Sequence, residues 1–500
     1  MALTEKITDE SRTSLQKGRL GTIGIVFFVV AAAAPLVGMT GAVPVAIVLG
    51  NGAAAPGAYL VVGITLLLFS VGYAAMSQRV TNAGAFFAYI GRGLGRHAGI
   101  ASAFVSILAY LAVQLAIFGF FGGVISAQLG IMPWWAWSLI AWVLVTVLSL
   151  LRVDIGAKVL GVLMLCELVA LVVTAIVILA SGGPDGIDFW ASFNPAAILT
   201  GGLAGSAGIA FAFAFASFIG FEATAIYGEE SKDPKKVVPR ATYLAVGVIT
   251  VLFALTAFAM VTGMGAAHVV EKTVELSTVA KVPLADPAAV LFSLATQYVG
   301  PWMATVMSIL VLSSLFAGLL AFQNAASRYL FAMGRGGVLP ASLGTVNRRG
   351  APSNASMLTS VISGLVIVIF AVFRLDPVLN LFYWFSGLSV VAIVLIEILV
   401  CIAVIAYFRK NRGEENIFQR MIAPVLAIIG LVLGEYLLMS RFGLLAGTVA
   451  EGVDPSVTPW GLSPIGWLLI ALPFVLLIVG FFVSYARRSV NEELLRDVLS

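Results

Sequence analysis

Four carboxyls stand inside long apolar runs of this chain: Glu167, Glu222, Glu397 and Glu435. Carrying an ion into hydrocarbon costs roughly 2.5–3.5 kcal/mol on insertion scales, so each carboxyl there either keeps a proton or has a chemical task. Glu222 has the most telling setting, FASFIGFEATAIYGEESKDPKKVVPR, where Gly220 can break a helix just before it and a basic loop follows. That combination suggests transport. Glu167, in LMLCEL, is the candidate for energy coupling. A carboxyl taken out of water favours its neutral form, so Glu167 could load and release a proton in a cycle; a permanently protonated structural glutamate is the alternative. Glu435 reads as peripheral, and Glu397 reads either way. No HExxH, GxSxG or phosphate-binding glycine loop stands out, which sets intramembrane enzyme chemistry aside. Cys166 and Cys401 fall in apolar spans without CxxC or Cys/His spacing, so they are expected to pack as buried hydrophobes, with no disulfide, metal or cofactor.

The elements that must position these residues follow from composition. The chain has 500 residues, 61% hydrophobic and 10% charged, with a mean hydropathy of +1.07. Soluble domains carry about a quarter charged residues, so this is an integral membrane protein. Apolar runs near the roughly 20 residues that cross a bilayer as helix recur throughout. They predict an all-α polytopic protein with twelve spans at 21–49, 58–77, 98–127, 133–150, 157–180, 203–228, 241–262, 301–332, 355–373, 377–408, 422–440 and 465–485. Met1–Leu20 is polar and charged, without the short apolar core of a signal peptide.

Basic residues sort sharply across these spans. Of 28, only Lys272, Lys281, Arg374 and Arg441 fall on one side. The positive-inside bias therefore puts both termini in the cytoplasm, with tails at 1–20 and 486–500 and a location in the plasma or inner membrane. It also explains the net charge of +4 without any nucleic-acid partner.

Glycine and proline crowd two spans. Span one holds Pro35, Gly38, Gly41 and Pro44, and span six holds Gly201, Gly202, Gly205, Gly208 and Gly220. Proline removes a backbone bond and clashes one turn back, and broken backbone at membrane depth is tolerated where it lines a cavity or is buried in protein. Spans one and six are the candidates for discontinuous helices. Five spans separate them, an odd number, so a second five-helix unit runs inverted relative to the first, the repeat logic of many secondary transporters. The segment 263–300 is expected to form a short external helix from Pro287 to Tyr298 and to leave His268 in a solvated loop, and 441–464 reads as a plain connector.

Four segments are similar to signatures of the amino acid-polyamine-organocation superfamily of permeases. Span six and its loop match best, with Gly220-Phe221-Glu222 and then Glu229-Glu230-Ser231-Lys232-Asp233-Pro234 running to Pro239 and Ala241. Asn82-Ala83-Gly84 through Tyr89 resembles the superfamily's entrance to span three, and Ser327-Arg328 through Pro340 its close of span eight. Span one departs from the usual glycine pattern, with Gly38-Met39-Thr40-Gly41 in its place.

The resemblance implies two inverted five-helix repeats, 21–180 and 203–408, followed by two further helices within 422–485. It also implies alternating-access transport of a small amine or amino acid. Val37, Gly38, Met39, Thr40 and Gly41 would then offer N–H groups to a substrate carboxylate. Freed carbonyls among Ala216, Ser217, Phe218, Ile219, Gly220 and Phe221 would hold its ammonium. Glu222 belongs by resemblance to a gating network, and Tyr110, Phe215, Tyr383 and Trp384 are aromatic gating candidates. Glu167 falls about where sodium-independent relatives carry a lysine in the place of a sodium ion. Span eight offers Ser313 and Ser314 but then runs Phe316-Ala317-Gly318, which favours a proton over sodium as the coupling ion. Symport and exchange both remain open, as does a polyamine or organocation substrate of the same fold. A channel or receptor is the reading from a different class; neither a filter-like carbonyl loop nor a charged ring is visible for it.

Overall fold

The computed structural model describes residues 21–80, 85–151, 154–226, 231–455 and 457–486. The tails, Asn82–Gly84 of the span-three motif, Arg152 and Glu229–Glu230 of the span-six loop lie outside the described residues. Among those described, eleven apolar helical segments are long enough to cross a membrane. The protein is an all-helical polytopic membrane protein.

Among the described residues the helices that carry the packing are α1 Thr22–Ala33, α2 Ala55–Ser77, α3 Arg96–Leu129, α4 Trp134–Leu151, α5 Asp154–Ser181 and α6 Ala207–Phe218. They continue as α7 Pro234–Met264, α8 Pro301–Arg335, α9 Ser353–Val372, α10 Tyr383–Lys410, α11 Ala423–Ser440 and α12 Pro464–Ala486. Several begin on a proline in the first turn, at Pro56, Pro234, Pro301 and Pro424, where the missing N–H is one the helix would leave unbonded in any case. A left-handed Gly130 (φ 65°) ends α3, the usual glycine stop.

The segment Thr22–Ser77 forms one 56-residue apolar run with two interruptions. Ala34 is left-handed (φ 43°) between α1 and the short turn Pro35–Val37. Gly50 leaves helical geometry (φ −100°, ψ −113°) before α2 begins, and a Cβ built there would lie 2.8 Å from that of Ala210. Between them Gly38–Ala42 and Ala46–Asn51 are wide π turns.

Packing pairs α2 with α7, α3 with α8 and α4 with α9, while the π turns of span one pack on α6. α10 packs on α3 and α11, and α12 on α3. A polar network ties α3, α4, α8 and α9 together. Gln114 Nε2 donates to Gln323 Oε1 (2.7 Å), and Gln323 Nε2 donates to Ser356 O and Ser360 Oγ, both at 2.9 Å. Ser149 and Ser356 share a 2.6 Å hydrogen bond, Thr146 donates to Ser360 Oγ (2.8 Å) and Trp142 Nε1 donates to Ser360 O (2.7 Å).

Three expectations change. Cys166 is exposed on the outer surface of α5, because it lies next to Glu167, which takes the inward position; only Cys401 is buried. Glu435 is buried (8% exposed) between α11 and its neighbours instead of peripheral. The segment 441–464 is not a plain connector: it contains the helix Phe442–Ala446 and a bridge between Val449 and Leu462. It starts with the buried Arg441, whose guanidinium donates to the carbonyls of Ala204, Gly205 (3.3 Å) and Pro455 (2.7 Å). The segment 263–300 holds two helices, Val269–Ser277 and Ala288–Tyr298, the second where expected. His268 is largely exposed, 4.0 Å from Glu271.

Candidate transport site

Span six breaks where its glycine allows. α6 ends at Phe218, Ile219 turns extended (ψ 128°), and Gly220 takes φ 118°, a conformation that costs any other residue steric strain. Phe221 N then bonds to Phe218 O (3.3 Å) and Ala223 N to Gly220 O (3.1 Å), which leaves the Ser217 carbonyl outside the helical ladder. The Glu222 carboxyl folds back onto the break, accepting from Gly220 N at 2.9 Å.

Span one breaks earlier than its glycines suggest. Residues before proline avoid right-handed helix geometry, and Ala34, which precedes Pro35, is left-handed. Gly38–Ala42 is instead continuous π helix, with Gly38 N bonded to Ala34 O (3.2 Å) and Val43 N to Gly38 O. The N–H released from the ladder is that of Leu36, since Pro35 has none, and it donates to Glu167 Oε1. The same oxygen accepts from Ser314 Oγ of α8 at 3.0 Å. Glu167 thus joins α5 to the break in span one and to α8. Thr40 Oγ1 caps the turn internally through Leu36 O (2.7 Å).

The two breaks meet. A Cβ on Gly220 would lie 2.8 Å from Ala32 Cβ, and one on Gly38 would lie 3.1 Å from Ser217 Oγ. Ser217 is fixed by donation to Phe213 O (2.7 Å) and by Tyr59 OH (3.2 Å). On the opposite face of the π turn, Gly41 is overlain by Phe120 and Phe382, whose rings stack at 4.7 Å. Ile117 and Gly318 close a third side against Ala34. The walls around the breaks are thus mainly apolar side chains and backbone, with Ser217, Tyr59, Glu167 and Ser314 the polar groups among them.

The expected site residues divide. Val37–Gly41 and Ala216–Phe221 come together as described. Glu222 gathers tyrosines: Tyr73 OH donates to Glu222 O (2.7 Å), and the Tyr110 hydroxyl faces the Glu222 carboxyl, its ring 5.4 Å from that of Tyr329. Phe215 points elsewhere, against Gly434 of α11. Tyr383 donates to Leu284 O (3.1 Å), fastening α10 to the segment 263–300, and Trp384 donates to Ala446 O (2.6 Å); neither adjoins the breaks. Sequence reasoning missed Phe120, Phe382, Tyr59 and Leu36. Of these, Leu36 was readable, as the first N–H after an in-span proline.

The family comparison gives the same picture. Residues 24–493 match the family described as amino acid permease. The chain belongs to the amino acid permease family. It is thus a transporter of the superfamily its motifs resemble, and not an enzyme. Among curated relatives, a branched-chain amino acid permease of Lactococcus lactis is 26% identical over 75% of this chain and 79% of its own length. An amino-acid permease of Candida albicans is 24% identical over 85% of this chain and 66% of its own. An uncharacterized transporter of Legionella pneumophila is 30% identical over 39% of each chain, so that match spans about two-fifths of the relative's length.

Proposed function

We propose that this permease is a secondary transporter that moves a neutral, apolar amino acid by alternating access, coupled to a proton carried on Glu167. The observation that supports this reading best is the placement of Glu167 Oε1 between Leu36 N–H, at the break of span one, and Ser314 Oγ. A carboxylate accepts both hydrogen bonds more strongly than a neutral carboxyl does. Its protonation therefore loosens the tie between α5, α8 and span one, and rocking of span one feeds back on proton affinity. Such two-way coupling is what alternating access requires of a coupling ion.

The apolar walls at Ile117, Phe120 and Phe382 favour an apolar substrate side chain, in keeping with the branched-chain permease among the relatives. The Ser217 carbonyl, outside the helical ladder at the break of span six, supplies an acceptor suited to a substrate ammonium. Twelve crossings follow if Thr22–Ser77 is read as two, bent at Gly50, and the pairing of α2 with α7, α3 with α8 and α4 with α9 is what two inverted five-helix repeats would produce. The basic residues put both termini in the cytoplasm.

Proteoliposomes carrying the purified chain are expected to accumulate labelled leucine, isoleucine or valine under an inward proton gradient. Failure of both uptake and exchange across all twenty amino acids and common polyamines would sink the proposal, and a substrate-independent current would favour a channel.

A further inference from the structure

α2 runs beside the break in span six and touches it on both sides. Before the break, Tyr59 OH lies 3.2 Å from Ser217 Oγ. Ser217 Oγ also lies 2.7 Å from Phe213 O, and a carbonyl can only accept, so the single Ser217 hydroxyl proton is spent there. Tyr59 is therefore the donor, and the bonds run in one direction from Tyr59 O–H through Ser217 Oγ to Phe213 O. After the break, Tyr73 OH donates to Glu222 O at 2.7 Å. The same carbonyl accepts from Ala225 N (3.2 Å), at the start of the helix Ala223–Ile226. Within the break, the Phe221 ring stands edge-on to that of Phe69, 5.8 Å away. About four turns of α2 separate Tyr59 from Tyr73, so the two side chains leave nearly the same side of that helix.

Both tyrosines are fully buried and braced by other rings. Tyr59 meets Phe253 edge-on at 5.9 Å, and Phe253 meets Phe218 at 5.5 Å. A Cβ on Gly38 would lie 3.5 Å from the Phe253 ring, so the same brace backs the contact between the two broken spans. Tyr73 is held among Phe69 at 5.4 Å, Phe86 at 5.7 Å and Tyr89 at 5.2 Å. Rings packed to interior density hold their hydroxyls in place. The backbone between the two contacts has no such support of its own: the Ser217 carbonyl is outside the helical ladder and Gly220 takes φ 118°. Backbone freed inside a membrane protein takes its geometry from the helices around it.

We propose that Tyr59 and Tyr73 act together as a splint, which holds span six at its two broken ends and so aims the Ser217 carbonyl at the substrate ammonium. Both are positioning residues, and neither touches the substrate. The proposal rests on the reading of that carbonyl as the ammonium acceptor. A splint fastened at one end fixes no spacing, so losing either hydroxyl has the same consequence as losing both. Two unrelated ties between helices would instead contribute separately.

The test uses the full chain in proteoliposomes and leucine–leucine exchange at equal pH, which needs no proton gradient. Tyr59→Phe and Tyr73→Phe keep the rings and remove only the hydroxyls. Each is expected to raise KM for leucine about fivefold, the size of one neutral hydrogen bond, while kcat changes by less than about twofold. The double variant is expected to stay at about fivefold, whereas independent ties would multiply to about twenty-five-fold. An unchanged KM in either single variant, a multiplied effect in the double, or a loss of kcat as large as the rise in KM overturns the splint. If Tyr59→Phe does not fold, Ser217→Ala removes the same tie from its other end. It should raise KM as much and add nothing to Tyr73→Phe; an unchanged KM or a multiplied effect overturns the proposal. Unmodified protein that exchanges no leucine removes the ammonium reading and the splint with it, whereas normal exchange with unaltered KM in the variants removes the splint alone.

Discussion

Two buried polar regions of this permease are built on opposite terms. In the network of α3, α4, α8 and α9, amides and hydroxyls from four helices find one another, and of its side-chain polar atoms only Gln114 Oε1 lacks a partner. In the region of span six, α10 and α11, four carboxyl oxygens have none. A satisfied network fixes one arrangement of helices, whereas unpartnered groups in a low dielectric are poised to change charge state. The first region is a frame. The second adjoins the break of span six through Glu222.

Four substitutions would break or sharpen that contrast. Gly220→Val, at the break of span six, should have the largest effect. It forces a β-branched residue to φ 118° and drives side-chain atoms into Ala32, at a cost of at least about 1–2 kcal/mol for the backbone alone. Leucine uptake should fall below detection; near-normal uptake would show that the break is not used. Gln323→Leu strips the frame of its central amide and should cost about 1–3 kcal/mol, read as a lower unfolding midpoint in detergent, with the pH profile of the surviving uptake unchanged. A shifted profile would erase the distinction between the regions.

Glu167→Gln should lower proton-driven uptake about tenfold, roughly 1.4 kcal/mol, with leucine affinity nearly unchanged. Equal loss of both would make Glu167 structural. Ser149→Ala, at the edge of the frame, should be the mildest, near the average of about 0.6 kcal/mol for hydrogen bonds between membrane helices. A larger loss of thermal stability would mean that the network is more cooperative than its pairwise contacts.

Much of this was legible in the residues. Gly220 beside Glu222 marks the break of span six because only glycine tolerates the required backbone, and the family motifs lie on the same stretch. The break in span one falls at Ala34, four residues before the glycines expected to mark it. Its glycines drew attention, yet they serve close packing against Ser217, Phe120 and Phe382, while the rule that acts is the aversion of a pre-proline residue to helix. The facing of Glu397 and Glu435 was not legible, since α10 and α11 are apolar all round and lack a polar stripe to orient them. Gln114 and Gln323 were lone amides in two spans, and a lone amide in hydrocarbon asks for a partner; pairing them was possible in principle. Phe120 over Phe382 joins residues more than 250 positions apart, which no local pattern reports.

Arg441 adds a practical consequence. Its charge is spent on three carbonyls away from water, two of them in the lead into span six. Mobile ions screen charges that face solvent far more than buried ones. The clasp between α11 and that lead should hold equally in dilute buffer and in concentrated salt, so these two elements travel as a single rigid piece whatever the ionic strength outside.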